Sequence, residues 1–231
     1  MKSRALLALA ALFLWSASAF QTPATHPVTG RKIAGVMGMS GADWLVRPER
    51  EAEEQPERAL DALNLKPGMV VADIGAGVGY MSLRMAKRVG PSGKVYANDL
   101  QPEMLAKLRE NAARGGIANV ITVLGDVADP KLPLNTMDLV LLADVYHEFS
   151  QPEQMLRKIR ETLKPDGRLV LLEYRAEDPR IPINPEHKMT VAQVKAELEP
   201  EGFVLQRAIE TLPRQHILIL TKAAAKAAGA R

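Results

Sequence analysis

The chain has 231 residues, 47% of them hydrophobic, which is enough for one sizeable domain with a buried core and too apolar for a disordered chain. Its formal net charge of +3 does not make a basic surface, because Lys2, Arg4, Lys222, Lys226 and Arg231 lie near the two ends and together outweigh that excess. The stretch between them is slightly acidic and carries no footprint for nucleic acid, and the absence of cysteine excludes a disulfide framework or a lipid-modified cysteine.

Residues 1–19, MKSRALLALAALFLWSASA, run from a short positive start through an apolar stretch to small residues. That layout reads as a secretory signal peptide cleaved after Ala19, and the apolar run is shorter than the ~20 residues a spanning helix needs. The expected location is therefore exported, periplasmic or secreted. A leader left uncleaved would instead anchor the chain, and this N-terminal segment is the one source of membrane association in the sequence. Residues 20–47 read as a Gly-, Pro- and Thr-rich connector in which Trp44 and Arg47 are placed to act as a lid. From Asp43 to Leu65, charge mixed with Leu60, Leu63 and Leu65 predicts a short helix packing its last turn on the domain downstream.

From Met69 the pattern alternates. Strands are predicted at 69–74, 94–98, 120–124, 137–143 and 168–173, and helices at 80–89, 102–114 and 151–163. Strand and helix at this spacing define an α/β fold with a parallel sheet and right-handed crossovers. After a Pro-rich loop, a helix near 190–199 precedes two apolar runs, FVLQRAIE and RQHILILT, which predict a terminal hairpin and an antiparallel last strand. The domain so delimited spans 48–222, and residues 223–231 form a low-complexity tail.

The stretch VADIGAGVGY carries a glycine-rich turn, Gly75, Gly77 and Gly79, between a first strand and a first helix. A dinucleotide fingerprint would place a small residue where Tyr80 stands, and Asp73 beside the turn repels a pyrophosphate but attracts an ammonium group. Asp99, ending the second strand, suits the two hydroxyls of a ribose. Asp126 comes after the third strand, and Asp144, Tyr146, His147 and Glu148 come after the fourth. Polar loops at the carboxyl ends of successive strands are where open α/β sheets bind ligands.

In order, VADIGAGVGYMSLRMA, KVYANDLQPEMLAKLR, GDVADPKLP, MDLVLLADVYHEF and LKPDGRLVLLEY resemble the motifs of the class I S-adenosylmethionine-dependent methyltransferases, over about Pro48 to Thr221. The resemblance is to the small-molecule branch that includes the ubiquinone and menaquinone methyltransferases. It implies a Rossmann-like, doubly wound, seven-stranded sheet, mostly parallel with an antiparallel last strand, and S-adenosylmethionine as cofactor. It also implies that Asp73 holds the methionine ammonium, that Gly75, Gly77 and Gly79 line the amino-acid moiety with Tyr80 next in the cofactor-binding turn, and that Asp99 takes the ribose hydroxyls. Leu100 would flank the adenine, Asp126 would meet its amino group, Val127 beside it is counted with the cofactor-binding residues, and the backbone near Ala143 and Asp144 would close the pocket beside the sulfonium.

The expected reaction is in-line methyl transfer to an O-, C- or N-nucleophile of a small molecule, with His147 either the base or a histidine held by neighbouring backbone, Glu148 orienting it or capping the next helix, and Tyr146 counted with them in the catalytic group. Asp144, His147, Glu148 and His187 could gather round a divalent metal, but their spacing matches no recognised ligand motif and no metal is expected. The arsenite-methylating relatives use cysteines, which this chain lacks. The competing reading comes from the leader: S-adenosylmethionine is made in the cytosol, so an exported chain of this fold could be a non-catalytic binding protein for an adenosyl metabolite or a lipid-like ligand. The sequence indicates no oligomeric state.

Overall fold

The computed structural model describes residues 25–224; the predicted leader and most of the predicted tail lie outside that range. The alternating apolar runs form strands β1 (Val70–Ile74), β2 (Lys94–Asp99), β3 (Val120–Leu124), β4 (Met137–Ala143) and β5 (Leu163–Arg175), then β6 (Lys188–Met189), β7 (Phe203–Ile209) and β8 (Gln215–Lys222). Between them lie helices α1 (Arg50–Glu54), α2 (Pro56–Leu63), α3 (Tyr80–Val89), α4 (Pro102–Arg114), α5 (Pro152–Thr162) and α6 (Val191–Leu198). The sheet runs β3-β2-β1-β4-β5-β8-β7, with the two-residue β6 beside β5. β1 to β5 pair in parallel, and β8 is antiparallel to both β5 and β7. The seven strands expected are the main path, and β6 is an eighth too short for periodicity to reveal.

Strand β4 shows why the sheet is parallel and central. Val140 and Leu142 join one core cluster and Leu139 and Leu141 the other, all fully buried, as strands covered on both faces require. Met155, Leu156 and Ile159 of α5 cover the first face, with Val194 and Leu198 of α6. Leu60 and Leu63 of α2 cover the second, with Met81, Met85 and Val89 of α3. Each such side chain contributes about 1.5–3 kcal/mol by leaving water.

Upstream of β1 the structure departs from the single predicted helix. Two 3-10 turns at Met39–Gly41 and Trp44–Val46 precede α1, and α1 is cut from α2 at Gln55, which takes a left-handed φ of 50°. Pro56 causes the break, since a residue before proline is kept out of helical geometry while proline itself suits a first helical position. The connector is also more ordered than its composition suggested. Arg31 forms two hydrogen bonds of 3.1 Å with the buried Glu197 of α6, and Thr29 donates to the same carboxylate. The carbonyl of His147 accepts from the Arg31 guanidinium at 3.0 Å and from the Ala34 N–H at 3.1 Å.

Candidate active site

The order of strands reverses between β1 and β4, and a cavity of about 410 Å³ opens at their carboxyl ends. The turn leaving β1 forms one wall. Gly75 has a φ of 72°, and a Cβ there would collide with the Val145 side chain. At Gly77, with a φ of 52°, a Cβ would stand 3.2 Å from Leu45. Glycine therefore lets this backbone take left-handed geometry and approach the cavity closely.

Asp99 ties that turn to the next loop, accepting from the Gly77 N–H at 2.8 Å and the Gln101 N–H at 2.9 Å. Burial pushes its carboxyl up despite these donors, and Leu100 beside it lines the cavity. Asp73 is buried in the wall, accepts from Ser82 Oγ at 2.5 Å and is pushed by burial up to about 6. The Tyr80 ring lies between the Arg50 and Arg84 guanidinium groups, each 4.1 Å from its centroid, and its hydroxyl donates to Glu51 at 2.9 Å.

At the end of β4, Asp144 holds a left-handed φ of 53°, an uncommon geometry for a residue with a side chain. Its Oδ2 accepts from Gln215 Nε2 at 2.6 Å and lies 3.6 Å from Arg50. Its Oδ1 is the one buried side-chain polar atom without a partner among the described residues. An unpartnered buried oxygen on a cavity wall is costly unless a ligand meets it.

Beyond Asp144 the chain makes a 3-10 turn, Tyr146–Glu148, pinned by Glu173 near the end of β5. One Glu173 oxygen accepts from the Tyr146 N–H at 3.1 Å, and the other lies 2.6 Å from His147 Nδ1. His147 is 2% exposed; burial opposes charge on its ring, but the Glu173 carboxylate outweighs that and raises its pKa. His147 Nε2 meets His187 Nδ1 at 3.1 Å across perpendicular rings. Burial lowers His187, helped by the charge of His147, and burial raises Glu148 to about 7. His147, Glu148 and His187 all line the cavity.

Most residues expected at the site do converge on this cavity: Asp73, Gly75, Gly77, Tyr80, Asp99, Leu100, Val127, Asp144, His147 and Glu148 line it. Gly79 stands behind the wall as the N-cap of α3. Two expectations need correction. Tyr146 is fully buried on the far side of its turn, edge-on to Phe149 at 5.5 Å with its hydroxyl 3.4 Å from His26, and does not line the cavity. A tight 3-10 turn sends adjacent side chains in different directions, so Tyr146 goes to the core while His147 faces the cavity. Asp126 is exposed and does not line the cavity; its Oδ1 accepts from the N–H groups of Ala128 and Asp129 at 2.9 and 3.0 Å, and its Oδ2 lies 3.5 Å from Lys131. Glu173 was missed, although a lone carboxylate in the apolar run RLVLLEY signals it.

Sheet order and cavity together define a doubly wound α/β protein with its ligand site at the switch point. The methyltransferase-domain family matches residues 65–218, and the chain belongs to that family, the S-adenosylmethionine-dependent methyltransferases. The crystal structure of a SAM-dependent methyltransferase from Aquifex aeolicus superposes with a TM-score of 0.76 at 30% identity, covering 80% of this chain and 98% of that one. Nocamycin O-methyltransferase of Saccharothrix syringae is 31% identical over 140 residues, 61% of this chain and 48% of that protein. The ubiquinone/menaquinone biosynthesis C-methyltransferase UbiE of Bordetella avium is 34% identical over 111 residues, 48% of this chain and 43% of that protein. The chain thus spans about half the length of these curated relatives. The cavity's residues fit the cofactor: Asp99 offers an acceptor for hydroxyls, the unpartnered Asp144 oxygen and Asp73 offer acceptors for an ammonium, and Leu100, Met104 and Val127 give an apolar wall for a purine.

Proposed function

We propose that the chain methylates a small-molecule acceptor received where His147, Glu148 and His187 face the cavity. The observation that carries this reading is that one continuous cavity joins the glycine turn and Asp99 to that polar cluster. Bound S-adenosylmethionine supplies a methyl carbon on a sulfonium, open to in-line attack with the C–S electron pair leaving on sulfur. The chain's own part is positioning and handling of the acceptor's proton. Asp99 orients the ribose through its hydroxyls, and Asp73 with Asp144 holds the ammonium end. Glu173 engages Nδ1 of His147 and leaves Nε2, 3.1 Å from His187 Nδ1, as the ring atom that would take the acceptor's proton. Met37, Trp44 and Leu45 line the cavity from the N-terminal side and give it an apolar wall there. The names of the relatives, an O-methyltransferase and a C-methyltransferase, support an acceptor of small-molecule type without choosing its nucleophile.

Calorimetric titration with S-adenosylmethionine, and separately with NAD, tests the reading. Saturable binding of the first alone is expected, weakened by about 1–3 kcal/mol in Asp99→Ala through loss of a buried charged acceptor. Unchanged affinity in that variant, or binding of NAD, removes the assignment. Incubating the complex with candidate acceptors then separates an enzyme from a binding protein, since only the enzyme releases S-adenosylhomocysteine.

The leader supports export as part of the same reading. Mass spectrometry of the protein recovered from its native host is expected to find Phe20 as the first residue; an intact N-terminus in the membrane fraction would show an anchor instead. Among the described residues, no helix is long and apolar enough to cross a membrane.

A further inference from the structure

We infer that His147, Glu148 and His187 form a binding site for a divalent first-row transition ion of the zinc type at the acceptor end of the cavity. Binding of the ion stands on these side chains alone; what it does there rests on the methyltransferase reading. One donor atom from each of the three residues lies within 4.8 Å of the others. The two imidazole nitrogens face one another at 3.1 Å. Tetrahedral coordination with bonds of about 2.0–2.2 Å sets neighbouring ligand atoms about 3.3–3.6 Å apart, so the histidine pair at 3.1 Å needs to open by only a few tenths of an ångström and Glu148 closes by side-chain rotation.

The surroundings favour the same reading. Glu173 sits 2.6 Å from His147 Nδ1 and fixes the tautomer whose free lone pair is on Nε2. A carboxylate on the far nitrogen of a ligating histidine is the usual outer partner of such a ligand. Two imidazoles and one carboxylate suit borderline ions, whereas magnesium and calcium take oxygen ligands. Sequence spacing concealed the set because His187 arrives from the loop ahead of β6, while Asp144, the fourth residue of the sequence cluster, is engaged by Gln215 and Arg50.

Three protein ligands leave a coordination position toward the cavity, as catalytic sites do. That position selects an acceptor with a hydroxyl or enolic oxygen. Its O–H proton passes to water, the oxygen lone pair forms the bond to the methyl carbon, and the C–S bond breaks with its pair remaining on sulfur. His147 is then a ligand, and a free base at Nε2 is the competing outcome.

The test uses the full chain, stripped with a chelator and titrated with Co²⁺ alone, read by its visible d–d absorption. One saturable Co²⁺ per chain is expected, with affinity reduced about tenfold or more in His187→Ala and in Glu148→Gln, both checked for an unchanged unfolding temperature. Glu173→Gln is expected to weaken the ion by about 10- to 100-fold through the orientation of His147. Absence of a saturable band, or equal affinity in His187→Ala, overturns the site and returns His147 to the role of base. S-adenosylmethionine binding is measured on the same wild-type sample. If that binding fails while the Co²⁺ band persists, the ion site stands and the methyltransferase reading falls.

Discussion

Asp73 is 2% exposed, and burial pushes its carboxyl up to about 6 against the hydrogen bond from Ser82. The folded protein therefore holds a proton there that the unfolded chain, at the ordinary value of 3.8, has released. Its contribution to stability is present at low pH and is lost as pH rises from about 4 to about 6, opposite to that of a salt-bridged carboxylate. Binding of an ammonium needs the ionised form. Affinity for S-adenosylmethionine is accordingly expected to be level above about pH 7 and to fall toward tenfold per pH unit below about 6. Calorimetry across that range checks it, and a profile identical in Asp73→Asn would take Asp73 away from the ammonium. Asp73, Asp99 and Asp144 were legible in the sequence because a carboxylate ending an apolar strand is hard to explain by packing. Tyr146 and Asp126 were misjudged for a local reason: polar residues crowded into one turn look alike in sequence, while the turn's geometry sends one inward and lets another bond to its own backbone. Pairing between His147 and Glu173, 26 residues apart, depends on β4 and β5 lying side by side.

At the scale of elements, the strap from Thr25 to Ala34 works through Arg31, whose guanidinium reaches Glu197 at one end and the His147 carbonyl at the other. Both partners of the pair are buried, at 8% and 1% exposure. Removing Arg31 leaves the buried Glu197 without its ion-pair partner, with Thr29 and His26 its remaining polar neighbours, so Arg31→Ala is expected to cost about 3–5 kcal/mol, measured by urea denaturation. A loss below about 1 kcal/mol would mean that the strap merely rests on α6, as exposed pairs do. The alternation of apolar and amphipathic segments located β1 to β4 and α3 to α6 within a residue or two, since a period of two or of 3.6 is a local property, but β5 begins at Leu163, five residues before the predicted 168, because LKPDG breaks the apolar run. The strap has no period. Its contacts join residues 166 apart, and only the folded sheet brings α6 beneath it.

For the whole molecule, a ligand that binds the native state adds stability by mass action, about 2.7 kcal/mol at one hundred times its Kd. For a chain of this size that is roughly 5–10 °C in Tm, which differential scanning fluorimetry with S-adenosylmethionine would read. No shift at saturation would mean that the cavity does not take the cofactor in the native fold. The class of fold was legible as a whole because strands and helices alternate, and the antiparallel ending because two apolar runs stand too close for a crossover. The position of β8 carries a consequence for biogenesis. Among the described residues it leaves the ribosome after the other strands, yet it occupies an interior place between β5 and β7, and its first residue, Gln215, bonds Asp144 on the cavity wall. A nascent chain halted before that point exposes the bare edge of β5, a template for association with other chains, and lacks a finished pocket. Completion of the site thus waits on β8, and a chain in which that strand has not slotted in carries an unfinished pocket.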